Sequence, residues 1–310
     1  MPRLQETILL CALLVTVAAA GTVVAQDLGT LHPQPLPARV HPEDPATPAK
    51  QLFARALQPA PLPPAAIGFY ARGCLAGGQA LPITGDAWQV MRLSRDRNWG
   101  HPVLIDFLER LARRVRADGI FPGLLIGDIA QPRGGPMING HASHQVGLDA
   151  DIWLRPMPER VLTTAEREEM MSTNVVRTDG LDVDRQKWTP QHMALIKETA
   201  EQPEVQRIFV NPAIKKAICR DATGDRSWLA KVRPMYSHDY HFHVRIACPA
   251  GHPECKKQEP PPPGDSCDAS LAWWFSDAVL HPKPNPNAKP AKPITMAELP
   301  AECRMVLGTK

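Results

Sequence analysis

The sequence predicts an α+β fold: a small antiparallel β-sheet with helices on one side, followed by a proline-rich C-terminal extension. Three observations predict it. Segments 148–154 and 241–247 alternate strictly in polarity, the period of a half-buried strand. Four other segments carry helical periodicity or helix-start signals. The 34 prolines of the 310-residue chain are unevenly spread, with ten in 31–64, twelve in 249–300 and eleven in 65–248. Proline fixes φ and lacks an N–H, so the two dense runs cannot be helix interior or central strand. Compact folding therefore belongs mainly to the middle block. The 44% hydrophobic content argues against global disorder, and the 20 glycines show no collagen period.

Taken in order, residues 1–25 read as a secretory signal peptide. Arg3 precedes an apolar stretch from Ile8 to Ala20, and Val23-Val24-Ala25 places cleavage near Ala25. No other segment approaches ~18 apolar residues, so no membrane span is expected in the mature chain. Residues 26–66 read as an extended proline-rich linker without pins, 67–255 as the folded domain and 256–310 as a strap over it. His101-Pro102 opens a helix on which Leu104, Phe107, Leu108, Leu111 and Val115 recur at helical spacing, and Gly119 can stop it. Residues 124–129 read as a buried strand, followed by a glycine-rich loop to Gly140. Thr163 with Glu166 is a capping-box signal for a helix to about Met171. Thr189-Pro190 and Asn211-Pro212 start two more helices, separated by a strand at 207–210. In the strap, Trp273-Trp274-Phe275 is expected to pack on the body.

Cleavage near Ala25 removes Cys11 and leaves Cys74, Cys219, Cys248, Cys255, Cys267 and Cys303. An even count in an exported chain implies disulfides, with 15 connectivities open. The formal net charge of +3 is too small to argue for nucleic acid, and no basic run with interleaved aromatics appears.

Of eleven histidines, five lie in two short segments, 141–151 and 238–245. Period 2 places Asp151 beside Asp149 on one polar strand face, and His243 beside His241 and Arg245 on another. Either segment alone reads as readily as a solvated face. Together, on neighbouring strands, they bring two imidazoles and a carboxylate into one place. That is the donor set of a catalytic zinc ion, with a fourth position for water. Ser-x-x-Lys, Gly-x-Ser-x-Gly and His-Glu-x-x-His are absent, which disfavours serine acyl-enzyme chemistry and helix-based zinc proteases. Arg245 can pair with Asp149 or with a carboxylate of the substrate.

His144-x6-Asp151 followed by His241-x-His243 resembles the signature of the lysostaphin, D-Ala-D-Ala metallopeptidase and hedgehog group. The strings G-H-A-S-H-Q-V-G-L-D-A-D-I and H-F-H-V-R-I-A-C-P, with L-I-G-D-I at 125–129 and R-I-F-V-N-P-A-I-K at 207–215, resemble the penicillin-insensitive murein endopeptidases. The resemblance implies a periplasmic zinc peptidase that cuts peptidoglycan cross-links between D-alanine and meso-diaminopimelate. It implies His144, Asp151 and His243 as zinc ligands, His241 as general base and His238 as its assistant. In some relatives a further histidine joins an acidic and a His position in a second metal site. The residues here are His141, Asp179 and Asp182, with Asp at 182 where His is expected. The resemblance also implies the pairs Cys74–Cys303, Cys219–Cys267 and Cys248–Cys255, and is compatible with a dimer. Alternatives on the same donor set are a D,D-carboxypeptidase, an L-Ala–D-Glu peptidase and a non-catalytic hedgehog-like zinc module.

Overall fold

A computed structural model of the chain describes residues 46–283 and 292–310. The expected signal peptide and the first part of the expected linker lie outside the described residues, as do residues 284–291 of the strap. No described helix is long and apolar enough to cross a membrane.

Ten strands and eight helices are described: α1 Ala49–Phe53, β1 Ala65–Phe69, β2 Arg72–Ala76, β3 Gln79–Ala80, β4 Trp88–Val90, β5 Trp99–Gly100, α2 Pro102–Ala117, β6 Leu124–Ile126, β7 Asp149–Trp153, α3 Thr164–Glu169, α4 Pro190–Glu201, β8 Val205–Val210, α5 Pro212–Asp221, β9 Val232–Pro234, β10 His241–Ile246, α6 Ala269–Ala272, α7 Asp277–Leu280 and α8 Glu302–Gly308. The expected helices and the two alternating strands are present, with ends shifted by one to three residues. Their start signals act as read. His101 Nδ1 accepts from Val103 N–H at the start of α2, Thr163 and Glu166 close a capping box on α3, and Asn211 Oδ1 accepts from Ala213 N–H on α5.

The main sheet has six strands in the order β4-β6-β7-β10-β8-β9. Its centre is antiparallel as expected, but both edge pairs, β4–β6 and β8–β9, are parallel. The reason is connectivity: a crossover is needed between parallel neighbours, and α2 and α5 lie in those two connections. Alternation then divides the sheet. Ala150, Ile152, Ile208, Val210, Phe242 and Val244 belong to the main apolar core, together with buried residues of α2, α4 and α5. The other face carries Asp149, Asp151, His241, His243 and Arg245, all buried beneath loops. Helices on one side thus leave the opposite face for chemistry.

A second core corrects the expectation of a linker up to residue 66. Ala49, Phe53 and Ala60 pack with Ile67, Cys74 and Ala76 of β1–β2 and with Met296, Leu299, Cys303 and Val306 near the far end of the chain. Fully buried Phe53 holds residues 49–60 against the body: Pro59 is the single proline of this stretch, so the proline-dense run is interrupted where α1 forms and packs. The disulfides are Cys74–Cys303, Cys219–Cys267 and Cys248–Cys255, the pairs the resemblance implied. The first two tie the strap to β2 and α5, and the third closes a short loop just after β10. Of the strap aromatics, Phe275 packs against the core and Trp274 meets Tyr236 edge-on, while Trp273 stays 55% exposed.

Candidate metal centre

The register of β7 and β10 builds the centre. His243 pairs directly with Asp151, and Arg245 with Asp149, so each cross-strand pair projects on the same face. His144 arrives from the loop before β7 in a left-handed conformation, φ +66°. Its backbone N–H donates to Asp149 Oδ2 at 3.0 Å, which fixes the loop to the strand.

The side-chain nitrogens are oriented by partners that can only accept. His144 Nδ1 lies 2.6 Å from the carbonyl of Ile129, so the proton is on Nδ1 and Nε2 presents a lone pair. His243 Nε2 lies 3.0 Å from Asp149 Oδ1, so its Nδ1 presents a lone pair. These two lone pairs face each other at 3.1 Å. Asp151 Oδ1 completes the triangle, 3.5 Å from His144 Nε2 and 3.3 Å from His243 Nδ1, and accepts no hydrogen bond among the described residues. Three buried acceptors converge with no donor between them. A tetrahedral ion with ligands at ~2.0–2.1 Å sets its ligand atoms ~3.3–3.4 Å apart, so the spacing suits zinc.

The electrostatics favour a cation at this point. Burial opposes ionisation of Asp151, but His141, His241 and His144 together hold its carboxyl well below the usual range. Burial lowers the His144 pKa. At His243 burial acts the same way, but Asp149 and Asp151 outweigh it and raise the pKa.

His141, half-buried, sets Nε2 3.3 Å from Asp151 Oδ2 and 3.2 Å from Asp128 Oδ2. His141, His144 and Asp151 therefore also form a group that could hold a metal ion. Asp128 is itself bound by Arg97 at 2.7 Å and Arg95 at 2.9 Å. Burial works against its charge, but those arginines and His141 keep its carboxyl far below the usual range.

His241 is buried beside the triangle, its Nε2 3.6 Å from Asp151 Oδ1. His238 stands over it, ring centroids 5.0 Å apart. Both Ser237 and His238 adopt positive φ, and the strained turn is held by Asn211: its N–H donates to the His238 carbonyl and its Nδ2 to the Ser237 carbonyl. His238 Nδ1 donates to the Tyr236 carbonyl at 2.7 Å. Burial first, then the neighbouring His241 and His243, lower its pKa to about 3. A cleft of about 650 Å³ opens above, lined in part by His141, His238, His243, Phe209 and Tyr236.

The two remaining expected ligands are not brought to the centre. Asp179 accepts from the Leu181 N–H and pairs with Arg177, while Asp182 pairs with Arg220 at 2.8 Å and accepts from the Val183 N–H. No described contact joins either to His141, whose acidic neighbours are Asp128 and Asp151. The Asp-Gly-Leu-Asp segment is a turn stabilised by its own side chains.

Sequence reading undervalued two carboxylates. Asp149 accepts from Arg245 Nε at 2.7 Å and Nη2 at 3.2 Å while orienting His243, so Arg245 takes the structural pairing. The signal was its period-2 relation to Asp151. Asp128 falls inside the segment 124–129 that reads only as a buried strand, although the strand itself ends at Ile126, and a lone Asp there gave no pattern to follow.

Fold and site together define a protein with a buried imidazole–carboxylate cluster that could hold a metal ion, at the floor of an open cleft. Comparison with known proteins narrows this. Residues 66–308 match the family model described as penicillin-insensitive murein endopeptidase. Proteins of that name are 45% identical in Haemophilus influenzae, over 78% of this chain and 82% of theirs, and 45% identical in Klebsiella pneumoniae, over 78% and 85%. One from Yersinia pestis is 44% identical over 79% and 86%. The chain belongs to the penicillin-insensitive murein endopeptidase family, a family of peptidases.

Proposed function

We propose that the protein is an exported, periplasmic zinc endopeptidase that hydrolyses peptide cross-links of peptidoglycan, at the D-Ala–meso-diaminopimelate bond, and is insensitive to penicillin. The observation that carries this reading is the triangle of His144 Nε2, Asp151 Oδ1 and His243 Nδ1: three buried acceptors at zinc spacing, in a member of this family. Zinc held by these residues supplies Lewis-acid chemistry, polarising the scissile carbonyl and lowering the pKa of water.

The chain's own groups do the rest. His241 takes the proton of the attacking water and passes it to the leaving amine. Its place beside Asp151 suits that shuttle. His238 donates through Nδ1 to a carbonyl, so its Nε2 is an acceptor and orients water rather than binding an oxyanion. Its lowered pKa keeps it neutral in that role. Asp149 fixes His243, in the manner of a carboxylate behind a metal-bound histidine. His141 bridges Asp128 and Asp151 and holds the ligand carboxylate in place. With no serine nucleophile in the mechanism there is nothing for a β-lactam to acylate.

Digestion of purified cross-linked muropeptide dimers tests the reading. Dimers are converted to monomers, with inhibition by chelator and none by penicillin. Release of D-alanine alone would replace it with the carboxypeptidase.

A further inference from the structure

The cleft wall has an unbalanced charge. No Asp or Glu lines it, whereas Arg207 and Arg245 both do. Arg245 is neutralised by Asp149 beneath it and stacked on Tyr70, its guanidinium 4.0 Å from the ring centroid. Arg207 has no such answer. Its Nη2 donates to the Glu259 carbonyl of the strap at 2.7 Å, its buried Nε meets no acceptor, and it forms no ion pair among the described residues. Burial first, then the nearby Arg233 and Arg245, pull its pKa below the ordinary value, as expected of a guanidinium lacking a counter-charge. A half-buried, five-donor cation with most of its donors unused is a poor structural element and a good anion receptor.

Its position sets what it can reach. Arg207 pairs across the strands with Arg245, and Phe209 with His243. Arg207 is therefore the diagonal neighbour of a proposed zinc ligand, ~7–8 Å away at the strand level. An extended peptide covers that distance in about two residues at ~3.3–3.6 Å each.

We propose that Arg207 is a specificity-determining residue, binding a free carboxylate of the cross-linked peptide within about two residues of the scissile bond. This rests on the peptidase reading and names what the cleft selects: acidic cross-links over their amidated counterparts. The carboxylate is that of diaminopimelate or of D-glutamate, and the test separates them.

Three muropeptide dimers are compared: one with free carboxylates, one amidated at diaminopimelate and one amidated at D-glutamate. The wild-type protein prefers the free acid over one amidated dimer by ~10–100-fold in kcat/KM, chiefly through KM, and that dimer identifies the carboxylate. Arg207→Gln abolishes the preference, and Arg207→Lys, which keeps the cation, retains part of it. Zinc content of each variant reports that the centre is intact. Equal cleavage of all three dimers by the wild type overturns the proposal and leaves the peptidase reading standing. An Arg207→Gln variant that keeps the wild-type preference, or an Arg207→Lys variant that loses it altogether, overturns it too. Cleavage of none of the dimers overturns both.

Discussion

Replacing Asp149 with Asn keeps the shape of the side chain and removes its charge. The buried carboxylate accepts four bonds: Arg245 Nε and His243 Nε2 on Oδ1, Arg245 Nη2 and the His144 N–H on Oδ2. Whichever oxygen becomes NH2, two of those contacts become donor against donor. If the amide nitrogen replaces Oδ2, it opposes Arg245 and the His144 backbone. If it replaces Oδ1, it opposes Arg245 and His243, and His243 can escape only by moving its proton to Nδ1, which removes a ligand lone pair. Arg245 is left as a buried, poorly compensated cation in both cases. Two lost charge-assisted bonds and a broken buried pair together cost about 3–5 kcal/mol, a large part of the ~5–15 kcal/mol by which a domain is stable. Urea unfolding in the presence of chelator isolates this effect from metal binding. Zinc affinity, measured separately, should fall by ~10–100-fold. The double variant with Arg245→Met should recover part of the stability, because the orphaned cation is then gone. An Asp149→Asn protein within about 1 kcal/mol of wild type, with undiminished zinc affinity, would refute the reasoning.

Three further outcomes are expected. His243→Ala loses both zinc and hydrolysis, whereas His241→Ala keeps zinc and loses ~10²–10⁴-fold in rate; metal analysis beside kinetics checks both, and full zinc occupancy in His243→Ala contradicts the ligand assignment. His101 is a buried cap whose pKa is lowered from 6.5 to about 4, chiefly by burial. In that window the unfolded chain binds the proton and the folded one does not, so stability is full above about pH 6.5 and lost as pH falls toward 4. His101→Asn keeps a capping side chain and should flatten this part of the stability–pH curve. Replacing Cys74 and Cys303 by Ser opens a bridge spanning 229 residues and should cost about 5 kcal/mol on the loop-entropy account, read from the shift of the urea midpoint.

How much of this was legible depended on pattern length. Strands β7 and β10 alternate over five and six residues, long enough to name their two faces and hence Asp151, His241 and His243. Their register was not legible, because pairing is a long-range contact, yet it is the register that sets His243 against Asp151. The short strands β3, β4, β5 and β9 have two or three residues each and carry no period at all. Asp128 acts through partners distant in sequence and nothing local marks it, while the Asn211-Pro212 start signal marks a helix cap but not the hold of Asn211 on Ser237 and His238. The assignment of Asp179 and Asp182 rested on resemblance alone, and their carboxylates are occupied by Arg177 and Arg220. Phe53 shows the converse case: a proline-rich composition predicted a linker, while one aromatic residue with a partner near the other end of the chain decided otherwise.

That second core has a consequence for the order of events in folding. It is assembled from residues 49–76 and 294–306, so no nascent segment that stops short of Met296 can complete it. The sheet and its centre, between residues 88 and 246, draw no strand from the residues around Met296 and can condense before those residues dock. The early segment around Phe53 must wait, with its apolar surface uncovered, until the last helix arrives and Cys303 meets Cys74. The clasp thus closes only when both ends of the described chain are present, and until then the apolar residues around Phe53 lack part of their cover.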